Sequence, residues 1–417
     1  MAPEQSFLTQ QLAATVLARC EELGRCTDEP GVITRAYGGP GLEAAMQMTN
    51  RWMQDAGLST RRDAIGNLIG RYAAEIPGAP VLLIGSHLDS VRNAGRYDGP
   101  LGVLLGIAVI DELRARGEHL PITIDVVAFA DEEGLRFHTT YLGSRVLACQ
   151  FPDALWGRTD GNGVTLREAC LASGGDPDRI SSAAIGPDVI GYLEAHIEQG
   201  PALEHAGLSL GVVSSIAGQS RISIAIHGMS GHAGTVAMEL RHDALAVAAA
   251  IVTEAERFAA ATDRLLATVG MLEVVRGASN VIPGEVRLTL DVRSDDDQTR
   301  TSAVDHLHRH ACACADAHGV NIDWTVVQEN DATPMDVGMV GALTMAASRR
   351  GVATMPMVSG AGHDAVMMAT VCPVGMLFLR CPGGISHHPD EAVVAEDIPR
   401  AIDVLTDAVM LMAKDRL

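Results

Sequence analysis

The sequence predicts an α/β protein: a mostly parallel-sheet domain interrupted by an inserted, smaller α+β domain of ferredoxin-like order. Two kinds of strand pattern, and their separation along the chain, carry this prediction. Residues 81–84, 122–130 and 374–379 are short continuous apolar runs, as suits central strands buried on both faces of a parallel sheet. Helical patterns such as 99–116 lie between them, which gives the α/β alternation. The second kind of strand alternates apolar and polar residues with period two. Arg221-Ile222-Ser223-Ile224-Ala225-Ile226-His227 and 286–293 each present one apolar face, the mark of an antiparallel sheet covered on one side. Around them the expected order is strand 221–227, helix 239–260, strand 267–275, strand 285–293, helix 297–318 and strand 322–328. That is the β-α-β-β-α-β unit. The expected division is therefore 1–213 with 332–417 for the larger domain and 214–331 for the insert.

Of the 417 residues, 31 are Lys or Arg and 52 Asp or Glu, a formal charge of −21. This argues against a nucleic-acid or anionic-membrane partner, which needs clustered basic residues. The only lysine is Lys414, which excludes Schiff-base chemistry, the GK[ST] phosphate loop and carbamylated-lysine metal sites. The eight cysteines form no CxxC pair and are expected to be reduced thiols of a cytoplasmic protein. Residues 1–26 lack the basic-then-apolar order of a signal peptide, and the longest apolar run, 102–110, is too short to span a bilayer.

The ends of the apolar runs carry the residues of chemical interest. Gly85-Ser86-His87-Leu88-Asp89 follows the first run, and α/β sheets place their sites at the carboxyl ends of strands. Asp89 is spaced to accept the second ring N–H of His87 and fix its tautomer. Asp98 precedes Gly99 and reads either as a cation-bridging carboxylate or as a helix cap. The run 122–130 leads into Asp131-Glu132-Glu133-Gly134. Adjacent carboxylates can split their work, one ligating a metal and the next serving as general base; a solvated acidic turn is the plain alternative. His196 lies in Glu194-Ala195-His196-Ile197-Glu198-Gln199-Gly200-Pro201, a short extended segment, and the last run leads to Ser386-His387-His388-Pro389. Together these form a complete N/O ligand set for two divalent cations, with no thiolate.

In this order and spacing the segments resemble the dinuclear metal amidohydrolases related to aminoacylases and carboxypeptidases, and most of all the group of allantoate amidohydrolase and N-carbamoyl-L-amino-acid hydrolase. The matching segments are 85–102, 131–145, 196–204, 231–243, 280–293, 359–364 and 384–391. The resemblance implies that His87, His196, Glu133 and His387 ligate two metals bridged by Asp98, with Glu132 as general base and Asp89 behind it. N/O ligation suits Mn²⁺, Zn²⁺ or Co²⁺. It implies substrate contacts from Arg293 as carboxylate clamp, His232 as carbonyl polariser from a partner subunit, the amides of Gln199 and Asn280, and the backbone of Gly360 and Ala361. For Arg293 the competing reading is an ion pair with Asp291, Asp295 or Asp296. The implied reaction is hydrolysis of the terminal ureido group of allantoate, with N-carbamoyl-L-amino acids or β-ureidopropionate as alternative substrates. The implied assembly is a homodimer through the insert, which would also act as a lid. One departure is Thr235-Val236-Ala237-Met238, where relatives have a proline, so the loop after His232 is expected to be less rigid.

Two features are expected to be decoys. His306, His308, His310, Cys312 and Cys314 fall in the helix 297–318, where residues two apart point about 200° apart. Ser230 precedes Gly231-His232 and so does not complete GxSxG.

Overall fold

The computed structural model describes residues 7–414; Met1–Ser6, part of the segment read for a leader pattern, lie outside them. In chain order the strands are β1 (Ser59–Arg62), β2 (Leu68–Tyr72), β3 (Val81–His87), β4 (Thr123–Phe129), β5 (Val189–Ile197), β6 (Leu210–Ile216), β7 (Gly218–His227), β8 (Gly231–His232), β9 (Leu265–Val274), β10 (Val281–Ile282), β11 (Glu285–Ser294), β12 (Asn321–Asn330), β13 (Thr333–Pro334), β14 (Thr354–Ser359) and β15 (Val374–Leu379). The chain divides into two units, with junctions at 214/215 and 334/335 against the expected 213/214 and 331/332.

The larger unit is built on a mixed sheet in the order β1-β2-β4-β3-β5-β15-β6, with β14 also on β6. Its four central strands, β4, β3, β5 and β15, run parallel, while β2 and β6 join antiparallel. Every residue of β3, β4 and β15 is buried, because apolar side chains leave both faces of these strands to packing. Helix Pro100–Ala115 covers β3 and β5, and helices Phe7–Leu23 and Asp397–Lys414 pack on it in turn. It is apolar nearly all round and buried nearly all round, the pattern of a helix sandwiched between layers. One strand differs from expectation. The segment around His196 is the end of β5, a nine-residue central strand whose apolar run is broken by Glu194 and His196.

The smaller unit has a four-stranded antiparallel sheet in the order β12-β7-β11-β9, the ferredoxin-like arrangement. Helices Ala244–Ala260 and Asp297–His318 lie on one face. They bury Ile222, Ile224 and Ile226 of β7 and Val286, Leu288, Leu290 and Val292 of β11. The residues between them, such as Arg221 and Arg287, are exposed, as the two-residue period of a strand requires. Asp243 and Asp296 cap the two helices by accepting backbone N–H groups of their first turns.

The His/Cys tract behaves as the helical period demands. His306 bonds to Glu254 at 2.6 Å and stacks on Phe258, His308 stacks on Trp324, and His310 meets Cys314. These side chains leave the helix in different directions and do not converge.

Candidate metal centre

Four neighbouring parallel strands deliver their carboxyl ends to one place, and each brings a chemical group. β3 ends in His87, the turn after β4 holds Glu132 and Glu133, β5 carries His196, and the segment after β15 holds His387. This is the edge at which open α/β sheets assemble sites. Among the described residues two sets of donors converge, His87 with Asp98 and His196, and Asp98 with Glu133 and His387. Asp98 belongs to both. Its Oδ1 lies 3.1 Å from His196 Nε2 and 3.8 Å from His87 Nε2, while its Oδ2 lies 3.2 Å from His387 Nε2. His387 Nε2 is in turn 3.4 Å from Glu133 Oε1. The first set is fully buried, whereas the His387 side chain is 48% exposed.

The tautomers suit cation binding. His196 Nδ1 donates to the Ile197 carbonyl at 2.9 Å, and His87 Nδ1 donates to the Asp89 carbonyl at 3.2 Å. Each ring therefore turns an Nε2 lone pair toward Asp98. His196 Nε2 is buried without a hydrogen-bond partner in good geometry, an orphaned acceptor that a cation would satisfy. The acid groups are crowded as well. Burial, then the charge of Asp98, raises Glu133 to about 7, and burial raises Glu132 well above the carboxylate range. Burial alone would raise Asp98 too, but the surrounding imidazoles of His196, His387 and His87 outweigh it and hold its carboxyl low. The hydrogen bond to Asp98 lifts His387 to about 9. A cluster of carboxylates and imidazoles of this kind fits divalent cations.

Glu132 belongs to neither donor set. Asp89 braces the turn that carries the adjacent acids: its Oδ1 accepts the Glu132 N–H at 2.9 Å and its Oδ2 the Glu133 N–H at 3.0 Å. Asp89 also approaches His87 Nδ1 at 3.4 Å and so braces three site residues at once. Asp98 does not cap the helix behind it; Gly99 stands at that position without a side-chain cap. Gly99 is required there, since a Cβ would lie 2.5 Å from the His87 ring. His388 lies outside both sets and bonds to Asp390.

The expected substrate residues fall in both units. In the larger one, Gln199 Nε2 donates to Asp98 Oδ2 at 3.0 Å and Ser386 Oγ at 3.1 Å, so its amide is engaged with the donor set. After β14, the Ala361 N–H donates to Ser359 Oγ at 3.2 Å and is already in use. The Ser359 hydroxyl folds back over the turn that contains Gly360. In the smaller unit, His232 pairs with Val281 across β8 and β10, and Asn280 O accepts the Ala233 N–H at 2.9 Å. These two residues are thereby neighbours. His232 Nδ1 accepts the Gly234 N–H at 3.1 Å. The loop after His232 is braced despite its missing proline: Arg241 donates to the Ala233 and Val236 carbonyls at 2.7 and 3.1 Å. Arg293 makes an ion pair with Asp291 at 2.8 Å.

A second layer escaped the sequence reading. Glu194 accepts the Ser86 hydroxyl and the Ala365 N–H at 3.1 and 3.2 Å, and Asp364 accepts the Ser144 hydroxyl at 2.5 Å. His363 bonds Ser359 at 2.8 Å and packs edge-on against the His196 ring, while burial holds its imidazole neutral. Ser86, Ser144, His363 and Asp364 lie in the matching stretches of the sequence, but none of them, nor Glu194, has an expected role there. No helix among the described residues is long and apolar enough to cross a membrane.

The model of peptidase family M20/M25/M40 matches residues 83–411. The probable allantoate deiminase of Oryza sativa subsp. japonica is 38% identical over 92% of this chain and 85% of its own length. The N-carbamoyl-L-amino acid amidohydrolase of Geobacillus stearothermophilus is also 38% identical, over 95% and 97%. Among solved structures, a hydantoinase/carbamoylase family amidase from Burkholderia ambifaria is 32% identical, with a TM-score of 0.90 over 99% of both chains. The chain accordingly belongs to the peptidase family M20/M25/M40, on its amidohydrolase branch.

Proposed function

We propose that this chain hydrolyses the terminal ureido group of allantoate, giving ureidoglycine, ammonia and carbon dioxide. The observation that carries the reading is the pair of donor sets sharing Asp98, with Glu132 outside both and next to Glu133. His87, His196, Asp98, Glu133 and His387 would hold two divalent cations, Mn²⁺, Zn²⁺ or Co²⁺. Bound there, the cations would acidify a water and polarise the ureido carbonyl. Glu132 takes the proton from the attacking water and hands it to the leaving nitrogen; its burial favours the protonated state between the two transfers. The carbamate left after ammonia departs loses carbon dioxide. Asp89 keeps Glu132, Glu133 and His87 in register. Arg293 exchanges Asp291 for the substrate carboxylate, a planar two-pronged match. Gln199 and Asn280 offer amides to the ureido group, Gly360 and Ala361 line it with backbone, and His232 of a partner subunit donates to the developing oxyanion.

A homodimer through the smaller unit fits its two edge strands, which expose Leu266, Met271 and Leu272 on β9 and Val326 and Val327 on β12. A cytoplasmic location fits the unpaired cysteines. The second reading, hydrolysis of N-carbamoyl-L-amino acids or β-ureidopropionate, is favoured by the equal identity of the two named relatives. It keeps the same donor sets and base. Ammonia release by the Mn²⁺-loaded protein, measured on allantoate, N-carbamoyl-L-amino acids and β-ureidopropionate, separates them. Release from allantoate alone supports the proposal; turnover of the others in its place transfers the same chemistry to the second reading.

A further inference from the structure

The carboxylate of Glu391 lies beside the donor sets without belonging to either. It is 3% exposed. Its Oε1 accepts the N–H groups of Tyr97 and Asp98 at 2.8 and 3.1 Å, and its Oε2 faces the Ser386 hydroxyl at 3.2 Å. One side chain therefore ties the loop carrying the shared ligand Asp98 to the turn carrying His387. The chain has made room for it. A Cβ on Gly95 would stand 2.3 Å from Glu391 Oε1 and 2.4 Å from its Cβ, so only glycine lets the 95–98 loop close over this carboxylate.

The two donor sets differ in how firmly they are built. His87 and His196 stand on central strands and are buried. His387 sits on irregular chain at φ +56°, an uncommon conformation for a residue with a side chain. Its side chain is half exposed. Nothing in the sheet fixes it. The turn is tied to the site through Ser386: its hydroxyl is shared between Glu391 Oε2 and Asp98 Oδ2 at 3.2 Å each, and its oxygen accepts from Gln199 Nε2 at 3.1 Å. That hydroxyl has one proton, so whenever Asp98 Oδ2 is committed elsewhere, Glu391 is the acceptor that remains.

We propose that Glu391 is a positioning residue that holds Asp98 and His387 in register, so that the set of Asp98, Glu133 and His387 depends on it far more than the buried set of His87, Asp98 and His196. The inference rests on the dinuclear reading above and adds an asymmetry to it: the two cations are held with unequal dependence on one distant carboxylate.

The test is a calorimetric titration of chelator-stripped full-length protein with Mn²⁺, in wild type, Glu391→Ala and Glu391→Gln. Glu391→Ala is expected to weaken the cation of Asp98, Glu133 and His387 about 10- to 100-fold, the usual effect of removing a group that orients a ligand, and to weaken the other, which shares Asp98 but rests on buried His87 and His196, much less. Glu391→Gln is expected to lose less, because its amide oxygen still accepts from Tyr97 and Asp98. Ser386→Ala, which leaves Glu391 in place, is expected to weaken the same cation, and it carries the test if Glu391→Ala does not fold by circular dichroism. Equal weakening of both cations would make Glu391 a general structural residue and overturn the proposal, as would unchanged binding of both. A wild type that binds no cation would instead overturn the dinuclear reading itself.

Discussion

Replacing Gly99 by alanine places one methyl group against the centre of the donor array. Gly99 has φ +84° and ψ −62°, a region that costs a residue with a Cβ about 1–3 kcal/mol. The new methyl would stand 2.5 Å from His87 Cε1 and Nδ1 and 2.7 Å from Nε2. Ordinary contact begins near 3.5 Å, so the ring or the start of the helix must give way by about 1 Å. Metal–ligand distances tolerate about 0.2 Å, and a misplacement of about 1 Å at a reacting centre costs on the order of 100-fold in rate. Gly99→Ala should therefore lose about 1–3 kcal/mol in urea unfolding of the chelated protein. It should also weaken the cation held by His87 and lower turnover on the order of 100-fold. Urea melts, Mn²⁺ titration and ammonia release read the three effects. Wild-type values in all three would refute the claim that bare backbone at Gly99 is what lets His87 face Asp98.

Glu132→Gln should keep both cations and lose about 100- to 10,000-fold in turnover, the range for removing a general base; an active variant with full metal content would remove Glu132 from that role. Asn67, fully buried, accepts the Ala130 N–H at 2.9 Å and donates to the Gly143 carbonyl at 3.0 Å and Asp63 at 2.7 Å. Asn67→Ala should cost about 2–4 kcal/mol, and a chemical melt showing under about 1 kcal/mol would contradict this. Glu254 is held down to about 2 by hydrogen bonds from Arg257 and His306. A depressed carboxylate stabilises the fold above its unfolded value, near 4.3, and loses that stabilisation as pH falls toward about 2. Glu254→Gln should thus melt below wild type at pH 7, with the gap closing between pH 4.5 and 2; a gap of constant size would rule the carboxylate out as its cause.

Much of this architecture was legible because hydrophobic periodicity records which faces are covered. β15 and the first four residues of β3 are unbroken apolar runs, and the alternation of β7 and β11 separates the inserted unit from the rest. Helix Asp297–His318 has the predicted bounds because Asp296 caps it and Gly319 ends it in the left-handed conformation. β5 reads only as a short extended segment because Glu194 and His196 interrupt its apolar pattern, and they do so because the site needs them there. The donors were legible as residue types at strand ends. What holds them was legible only in part: Asp89 reads as a partner of His87, but the backbone N–H groups that Asp89 and Glu391 accept look alike in any sequence. Gly95 and Gly99 matter only through atoms that arrive from elsewhere in the fold. The same holds for Arg241, whose bonds to two loop carbonyls could not be read from spacing.

The order of the central strands also bears on how the protein is made. β15 lies beside β5, with Phe378 opposite His196, yet the whole inserted unit, Ser215–Pro334, is synthesised between them. On the ribosome the insert has its own core and can fold as soon as it emerges, because domains generally fold as units. The first half of the larger unit must wait with one side of β5 uncovered and its donor cluster missing His387. A nascent chain carries His87, Asp98, Glu133 and His196 long before the last ligand exists. Premature termination anywhere in the insert would therefore leave a sheet with an open central edge, a surface for chaperones or aggregation and not a weakened enzyme.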